Sequence, residues 1–296
     1  MKKNILLLLL IISSHFIFAQ YQERDTNLMY KGFEFYIGGG LYIADKKTAD
    51  FYSGKPENML NLNLLFNNHY RYEEVTRYVK EKRPYVDSIW LSSYGESPNY
   101  KIAMCVSLGL RYKFDKHWGF GLMYTYVRLT GQNVFFIDYP RVLGNDRQEL
   151  QGMIAAKEER SAFDFSASYM FHPNAVVKPF IEMGFQFNYV KLKGFDVNIE
   201  DHVFNLMNEV TQPYIPGQQV MPNYRNWGAP GYGFSLVAGI KLAFSKNISL
   251  DPMLYASVCS MGHSTNLEDY NTGFGFNYAV IVRLLINDHI FSNRNN

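Results

Sequence analysis

Apolar and polar residues alternate with a period of two over eight separate segments of the chain. In the first segment, Phe33, Phe35 and Ile37 alternate with Glu34 and Tyr36. This is the period of a β-strand with one apolar face, and it differs from the 3.6-residue period of a helix. The eight predicted strands lie near 33–43, 102–114, 118–129, 162–172, 179–192, 234–244, 248–259 and 274–286. Each is long enough to cross a bilayer, for which a tilted strand needs about 9–11 residues.

The segments between these strands alternate between long and short. Short segments lie at 115–117, 173–178 and 245–247, whereas the long ones lie at 44–101, 130–161, 193–233 and 260–273. Membrane barrels sort their loops in this way, with short periplasmic turns and longer outer loops. A soluble sandwich or lipocalin-like barrel is the alternative, but it gives no reason for the alternation. The sequence therefore predicts an all-β fold, an eight-stranded antiparallel transmembrane up-and-down barrel with long extracellular loops.

The N-terminus predicts export. Lys2 and Lys3 precede a short apolar run at 5–12, and Ala19 ends the segment. This pattern is typical of a cleaved secretory signal peptide, and the run is too short for a membrane-spanning helix. We expect a signal peptide at 1–19, a periplasmic segment at 20–31, the barrel at 32–287 and a periplasmic tail at 288–296. The expected location is the cell outer membrane.

The long loops contain patterns of their own. Residues 70–82 have helical spacing, and Pro84 ends the pattern. Asp201 is positioned to cap a second short helix that would run through Glu209. The candidate residues for binding at the loops are aromatic: Tyr70, Tyr78, Trp90, Tyr214, Tyr224 and Trp227. These rings supply contact area for a sugar or protein partner. Equally, they can pack on one another and close the barrel.

Two short runs resemble known outer-membrane proteins. The run from Tyr112 to Gly119 (YKFDKHWG) and the run from Lys178 to Gly184 (KPFIEMG) are similar to turn and strand motifs of small barrels. These are the OmpX, OmpW and OmpA-barrel type, especially the Bacteroidetes barrels. The resemblance implies outer-membrane lipid, lipopolysaccharide and the outer-membrane assembly machinery as partners. Barrels of this type serve several functions, so the surface protein or glycan partner stays unknown.

Composition narrows the functional classes. The chain is 17% aromatic with a mean hydropathy of −0.20, which suits strands that are apolar on one face only. A net charge of +2 does not favour a nucleic-acid partner. The seven histidines show no metal-ligand spacing, so neither a metal nor a cofactor is expected. Cys105 and Cys259 fall on strands that are not neighbours, and both are therefore expected to be free thiols.

The outward-facing positions predict two aromatic girdles. The periplasmic girdle contains Phe114, Trp118, Phe171 and Phe244, and the outer one contains Tyr126, Tyr189 and Phe274. Arg128 and Lys191 share the lipid-facing parity, so both must lie above the hydrocarbon.

Six charged residues share the inward-facing parity near the periplasmic strand ends. They are Glu34, Arg111, Glu182, Lys241, Asp251 and Arg283. An eight-stranded barrel is only wide enough for its own side chains, so these charges must pair. Their signs alternate around the wall. We therefore expect Arg283 between Asp251 and Glu34, Lys241 between Glu182 and Asp251, and a plugged lumen.

The favoured function is a non-enzymatic outer-membrane barrel with a charge-plugged lumen. Its ordered, aromatic-rich loops would serve binding or envelope interaction. A narrow porin for small solutes is the first alternative. The second is a barrel enzyme that modifies lipid A or phospholipid, with Ser260, His263, Ser264 and either Glu268 or Asp269 as its catalytic group.

Overall fold

The computed structural model of the chain describes residues 31–95, 98–140, 147–175, 177–218, 227–245, 247–262 and 271–287. The predicted signal peptide, residues 20–30 and the predicted tail lie outside the described residues. So do Tyr224 and residues 263–269 of the alternative catalytic group. The strands are β1 Gly32–Ile43, β2 Trp90–Ser93, β3 Asn99–Tyr100, β4 Ala103–Lys113, β5 Trp118–Pro140, β6 Arg147–Met170, β7 Val177–Ile199, β8 His202–Asn205, β9 Gly228–Ala243, β10 Ile248–Gly262 and β11 Asn271–Asn287. The helices are α1 Lys46–Ala49, α2 Asn63–Phe66, α3 His69–Lys82 and α4 Leu206–Thr211, with a 3-10 turn at Asp50–Tyr52.

Eight long strands form a closed antiparallel ring. Around the wall they follow the order β1, β4, β5, β6, β7, β9, β10 and β11, and β11 pairs again with β1. Closure leaves no unpaired edge among these eight strands, as a barrel in lipid requires. The predicted fold class is confirmed.

The two faces of the ring differ as the period-two pattern predicts. Outward side chains are apolar and exposed along the strands, for example Phe35 and Ile37 on β1 and Val280 and Val282 on β11. Inward side chains include buried charged residues, as Glu34 on β1 illustrates. This arrangement is the reverse of a soluble barrel and suits a protein surrounded by hydrocarbon.

Strands β5, β6 and β7 run furthest beyond the predicted loop boundaries, and β9 to β11 extend by a few residues. β5 and β6 remain paired as far as Pro140 and Arg147, where a loop at 130–161 was expected, and β7 continues to Ile199. The prediction was wrong here because the extended part is also stabilised by burial on one face. Inward residues such as Phe135 and Ile154 pack against the first long segment instead of filling the lumen.

The first long segment folds over the outer end of the barrel. Its helices and turns, together with the outer parts of β5, β6, β7, β8 and α4, share one hydrophobic core. We call this unit the cap. Among its fully buried side chains are Phe51, Leu62, Val79 and Phe195. The cap closes the outer mouth of the barrel because its core lies against the inner face of the extended strands.

The predicted helix at 70–82 is confirmed as α3. Asn68 caps its N-terminus by accepting bonds from the backbone N–H groups of Tyr70 and Arg71, at 3.1 and 3.3 Å. The predicted capping role of Asp201 is wrong. Strand β8 follows Asp201 and pairs with β7, so α4 begins only at Leu206, and Asn205 caps it.

None of the helices in the described part of the chain is long and apolar enough to cross a membrane.

Candidate functional site

The six charged residues predicted for the lumen lie together near the end of the barrel that carries the short turns. All six are buried, and their strands surround the same narrow space. With Lys113, which shares their parity on β4, they form what we call the lower lumen cluster. Lys113 belongs to the same inward-facing set as Arg111, but it was not predicted as a lumen residue because it lies next to the short turn after β4. The cluster contains three carboxylates and four cations, so each carboxylate can pair with a buried cation.

The ion pairs cross the lumen instead of following the wall. Arg283 on β11 contacts Glu182 on β7 at 2.7 and 3.0 Å. Lys241 on β9 pairs with Glu34 on β1. In both cases two strands of the ring separate the partners.

The partners predicted for Arg283 and for Lys241 were therefore wrong in part. Arg283 does approach Asp251 at 3.8 Å, but its close contact is Glu182 and not Glu34. Lys241 was expected beside Glu182 and Asp251, and among the described ion pairs it contacts Glu34. The reason is geometric: a long side chain reaches the opposite wall of a narrow barrel as easily as the neighbouring strand.

Arg111 links all three carboxylates of the cluster. Its guanidinium lies 3.2 Å from Glu34 and 3.4 Å from Asp251, and it also bonds Glu182. Lys113 adds a further contact to Glu34 at 3.0 Å. Removing an ion from water costs several kcal/mol, which the mutual attraction offsets only where each charge has close partners. The cluster has this property, because each of its carboxylates has a buried cation within 4 Å.

A second polar network lies at the outer end of the lumen. Arg160 is buried and donates to Asn277 at 3.1 Å, to Thr48 at 3.0 Å and to Tyr100 at 2.9 Å. It also pairs with Glu158, which accepts bonds from Tyr52 and Tyr100. We call these six residues the upper lumen cluster. It joins the barrel wall to the cap, because Thr48 and Tyr52 belong to the first long segment.

Sequence reasoning missed this upper network. Glu158 and Arg160 fell inside the loop expected at 130–161, and only the extension of β6 gives them an inward direction. Asp164, which does lie on the predicted strand, was also overlooked. Its carboxylate accepts from Gln186 at 3.2 Å between the two clusters. The alternation that identified Glu182 on β7 would also have identified Asp164 on β6, because each side chain belongs to the inward-facing set of its own strand.

The outer surface of the cap carries a polar cleft of about 480 Å³. Arg71 of α3 is at its centre, where its Nη1 lies 2.5 Å from Glu74, and its Nε and Nη2 contact Glu209 of α4 at 3.0 and 2.5 Å. The guanidinium also stacks over Tyr214, 3.6 Å from the ring centroid. We call this the cap cleft. In the cap cleft, Arg71 contacts two carboxylates, those of Glu74 and Glu209. These three groups together therefore carry a net negative charge.

The electrostatics of the cap cleft follow from these contacts. Burial alone would lower the pKa of Arg71, but the hydrogen bonds to Glu209 and Glu74 outweigh it and raise that pKa above its usual range. Hydrogen bonding to Glu74, at 2.9 Å, likewise raises the pKa of Tyr78. Arg71 thus stays charged and acts as a fixed tie between α3 and α4, and the cleft offers carboxylate acceptors.

The predicted loop aromatics divide between the cap cleft and the cap core. Tyr78 lines the cleft, and Tyr214 lines the small adjoining cavity on the far side of Arg71. Tyr70 is exposed on α3. Trp90 lies on β2 beneath the guanidinium of Arg147, whereas Trp227 is buried in the cap core.

Other chemistry is sparse in the described residues. No group of three or more His, Cys, Asp or Glu side chains within them could hold a metal ion. Cys105 and Cys259 are both buried and free, as predicted. Ser260, the described member of the alternative catalytic group, exchanges bonds with the backbone of Tyr232 at 3.2 and 3.3 Å.

A closed ring of eight antiparallel strands, with apolar side chains outside and buried charged side chains inside, defines a membrane-spanning β-barrel. No protein-family model matches the chain, and a search among curated proteins finds no relative. Solved structures similar to it include Neisserial surface protein A, at 10% identity and a TM-score of 0.38 over 85% of this chain and 96% of that one. The outer membrane protein OprG from Pseudomonas aeruginosa is 11% identical, with a TM-score of 0.33 over 89% and 97%. Ail, the attachment invasion locus protein of Yersinia pestis, is 9% identical, with a TM-score of 0.31 over 86% and 99%.

Proposed function

We propose that this protein is a non-conducting barrel of the bacterial outer membrane that displays its cap as a binding surface. The observation that carries the proposal is the set of buried ion pairs that cross the lumen, such as Arg283 to Glu182. A pore for solutes needs an open cross-section, and side chains that pair across the lumen oppose one. The cap, with a hydrophobic core of its own, then supplies the surface on which function depends.

The cap cleft is the proposed point of binding. Folded loops that present fixed polar groups bind with less loss of conformational entropy than mobile ones. Arg71 holds α3 and α4 together beneath the cleft, while Glu74 and Asn208 line its wall. Because the carboxylates exceed the cations among the lining residues, ligands that donate hydrogen bonds or carry positive charge are favoured.

Conductance tests the closed lumen. Wild-type protein in planar bilayers should show negligible conductance at moderate salt. A variant that carries Glu182→Ala, Arg283→Ala and a short linker in place of 46–89 should conduct more than the wild type, because it lacks both the crossing ion pair and the helices of the cap. Steady conductance of the wild type would replace this proposal with the narrow porin.

Surface labelling tests the orientation. Single cysteines placed at Lys47 in the cap and at Lys116 in a short turn are suitable probes, because the native thiols are buried. On intact cells an impermeant maleimide should label the Lys47→Cys variant and spare the Lys116→Cys variant. The reverse result would mean that the barrel has the opposite orientation. If neither variant is labelled, the protein does not lie in the outer membrane as proposed.

Blocking the cap cleft tests its role in binding. Val203 lines the cleft and is largely exposed, so Val203→Trp should fill the cleft without disturbing the cap core, and Val203→Ala is the matched control. A glycan or peptide array probed with the detergent-solubilised protein should give signals that Val203→Trp loses and Val203→Ala keeps. Equal signals for the two variants would exclude the cleft. Altered lipid A in mass spectra of a deletion strain would favour the enzyme alternative.

A further inference from the structure

Strands β5, β6 and β7 carry basic side chains on their outward face, close to where the strands begin to pack against the cap. Arg128 on β5 lies opposite Glu159 on β6, and Glu159 lies opposite Lys191 on β7. Lys157 and Lys193 lie just above on the same two strands, and both face outward. We call these four cations with Glu159 the outer basic row.

The cations of this row exceed the carboxylates that could neutralise them. Glu159 is shared by Arg128 and Lys193, each at 3.2 Å. Lys157 lies 4.0 Å from Asp196, and Lys191 makes no ion pair among the described residues. The side chain of Arg128 is 76% exposed, that of Lys157 66% and that of Lys193 44%. The row therefore retains positive charge that faces away from the barrel.

The position of the row relates it to the surface of the bilayer. Directly beneath it on the same face lie Tyr126, Ser161 and Tyr189, and beneath these lie Tyr124, Phe163 and Phe187. The Nε of Arg128 donates to the hydroxyl of Tyr126 at 2.8 Å. Tyrosine is enriched where hydrocarbon meets headgroups, so cations one step further out lie at headgroup level.

The row is confined to one side of the barrel. The outer halves of β9, β10, β11, β1 and β4 contain no Lys or Arg, although Lys46 and Lys47 follow the end of β1 and Lys101 precedes β4. The outward positions of these strands carry apolar or aromatic side chains instead, such as Phe276 on β11, Leu41 on β1 and Met104 on β4. A general requirement for charge at the membrane surface would place cations around the whole ring. Their concentration on three adjacent strands indicates a localised anionic partner.

We propose that the outer basic row binds the phosphate groups of a bisphosphorylated glycolipid in the outer leaflet, which is lipid A. Neighbouring strands lie about 4.8 Å apart, so the row spans roughly 10 Å from Arg128 to Lys191, enough for two phosphates. Arginine binds a phosphate through two parallel hydrogen bonds, and the lysines add point charges. The tyrosines and Phe163 beneath the row contact the acyl chains. This inference depends on the outer-membrane placement proposed above, but not on a closed lumen.

Native mass spectrometry of the detergent-solubilised protein tests the lipid site. The wild type is titrated with bisphosphoryl lipid A, monophosphoryl lipid A, phosphatidylglycerol and phosphatidylcholine. The double variant Arg128→Gln with Lys191→Gln should bind bisphosphoryl lipid A about 30-fold more weakly, since each cation near an anionic lipid surface contributes about 1 kcal/mol. The matched control is Lys46→Gln with Lys47→Gln, which removes the same charge from the cap and should bind as the wild type does.

Each other outcome would contradict the proposal in a definite way. Equal losses in the two double variants would mean that net charge, and not the outer basic row, governs binding. Equal affinity for phosphatidylglycerol and bisphosphoryl lipid A would replace lipid A with anionic lipid in general. Equal affinity for phosphatidylcholine, whose phosphate is balanced by its own ammonium group, would mean that the row does not select anionic lipids. A conducting wild type would overturn the closed lumen and leave this result unaffected.

Discussion

Arg283 and Glu182 face each other across the lumen and form two parallel hydrogen bonds, of 3.0 and 2.7 Å, between opposite walls of the barrel. The paired strands, β11 and β7, are separated by β10 and β9 in the ring. The pair therefore joins two strands that are not neighbours in the wall of the barrel. The rings of Tyr36 and Phe180 lie against the same guanidinium, with their centroids 4.8 and 5.4 Å from its Cζ. They help to exclude water from it.

The first prediction concerns this pair. Arg283→Ala should destabilise the barrel by about 3 kcal/mol, near the low end for a broken buried pair because Glu182 keeps its contact with Arg111. Urea unfolding in lipid vesicles, followed by the gel shift of the folded barrel, measures the loss. Arg283→Ala with Glu182→Ala should recover part of it, since the carboxylate that lost both hydrogen bonds from Arg283 is then absent. A silent Arg283→Ala would mean that the side chain does not lie in the lumen.

The second prediction separates the cap from the barrel. Phe135 is fully buried in the cap core, and its ring lies over Gly152 on the paired strand. Phe135→Ala should therefore destabilise the cap by about 3–5 kcal/mol while the gel shift of the barrel persists. Limited proteolysis should cut the cap of this variant and spare the wild type. Val134→Ala, on the outward face of the same strand, is the control and should resist cleavage.

The third prediction concerns the two thiols. Burial of Cys105 and Cys259 should prevent both from reacting with maleimide in the folded protein. After unfolding, two maleimides should add per chain, and the mass without reductant should be that of two free thiols. Rapid labelling of the folded protein would indicate that the lumen admits small solutes.

The fourth prediction concerns pH and a periplasmic turn. The backbone N–H groups of Trp118 and His117 both donate to Asp115 at 2.6 Å and hold the pKa of that carboxyl below its usual range. A lowered pKa in the folded protein contributes stability above the unfolded pKa of about 3.9, and that contribution is lost as the pH falls through the folded pKa. The unfolding midpoint at pH 7 should therefore be higher for the wild type than for Asp115→Asn, and the difference should shrink as the pH falls below the unfolded pKa of about 3.9. If the difference in unfolding midpoint did not change with pH, the negative charge of Asp115 would not be its cause.

The sequence determined the barrel itself because lipid imposes a strict alternation on every strand. Residues such as Phe35 and Glu34 can face only lipid and lumen respectively, and a shift of one position would exchange them. The alternation of short and long loops then indicated that successive strands are antiparallel and that the short turns all lie on one side of the membrane. The six predicted lumen charges followed from the same parity, and their burial is a direct consequence of it.

Tertiary structure decided which charges meet and what the outer segments do. Parity places Arg283 in the lumen, but the width of the ring determines that it reaches Glu182 and not Glu34. The cap could not be read from strand patterns, because Phe135 and Ile154 are buried by helices that come from a distant segment. Likewise, Arg71 meets Glu209 only because β8 turns α4 towards α3. Contacts between residues far apart in the chain depend on the path of the backbone, and a local pattern carries no information on that path.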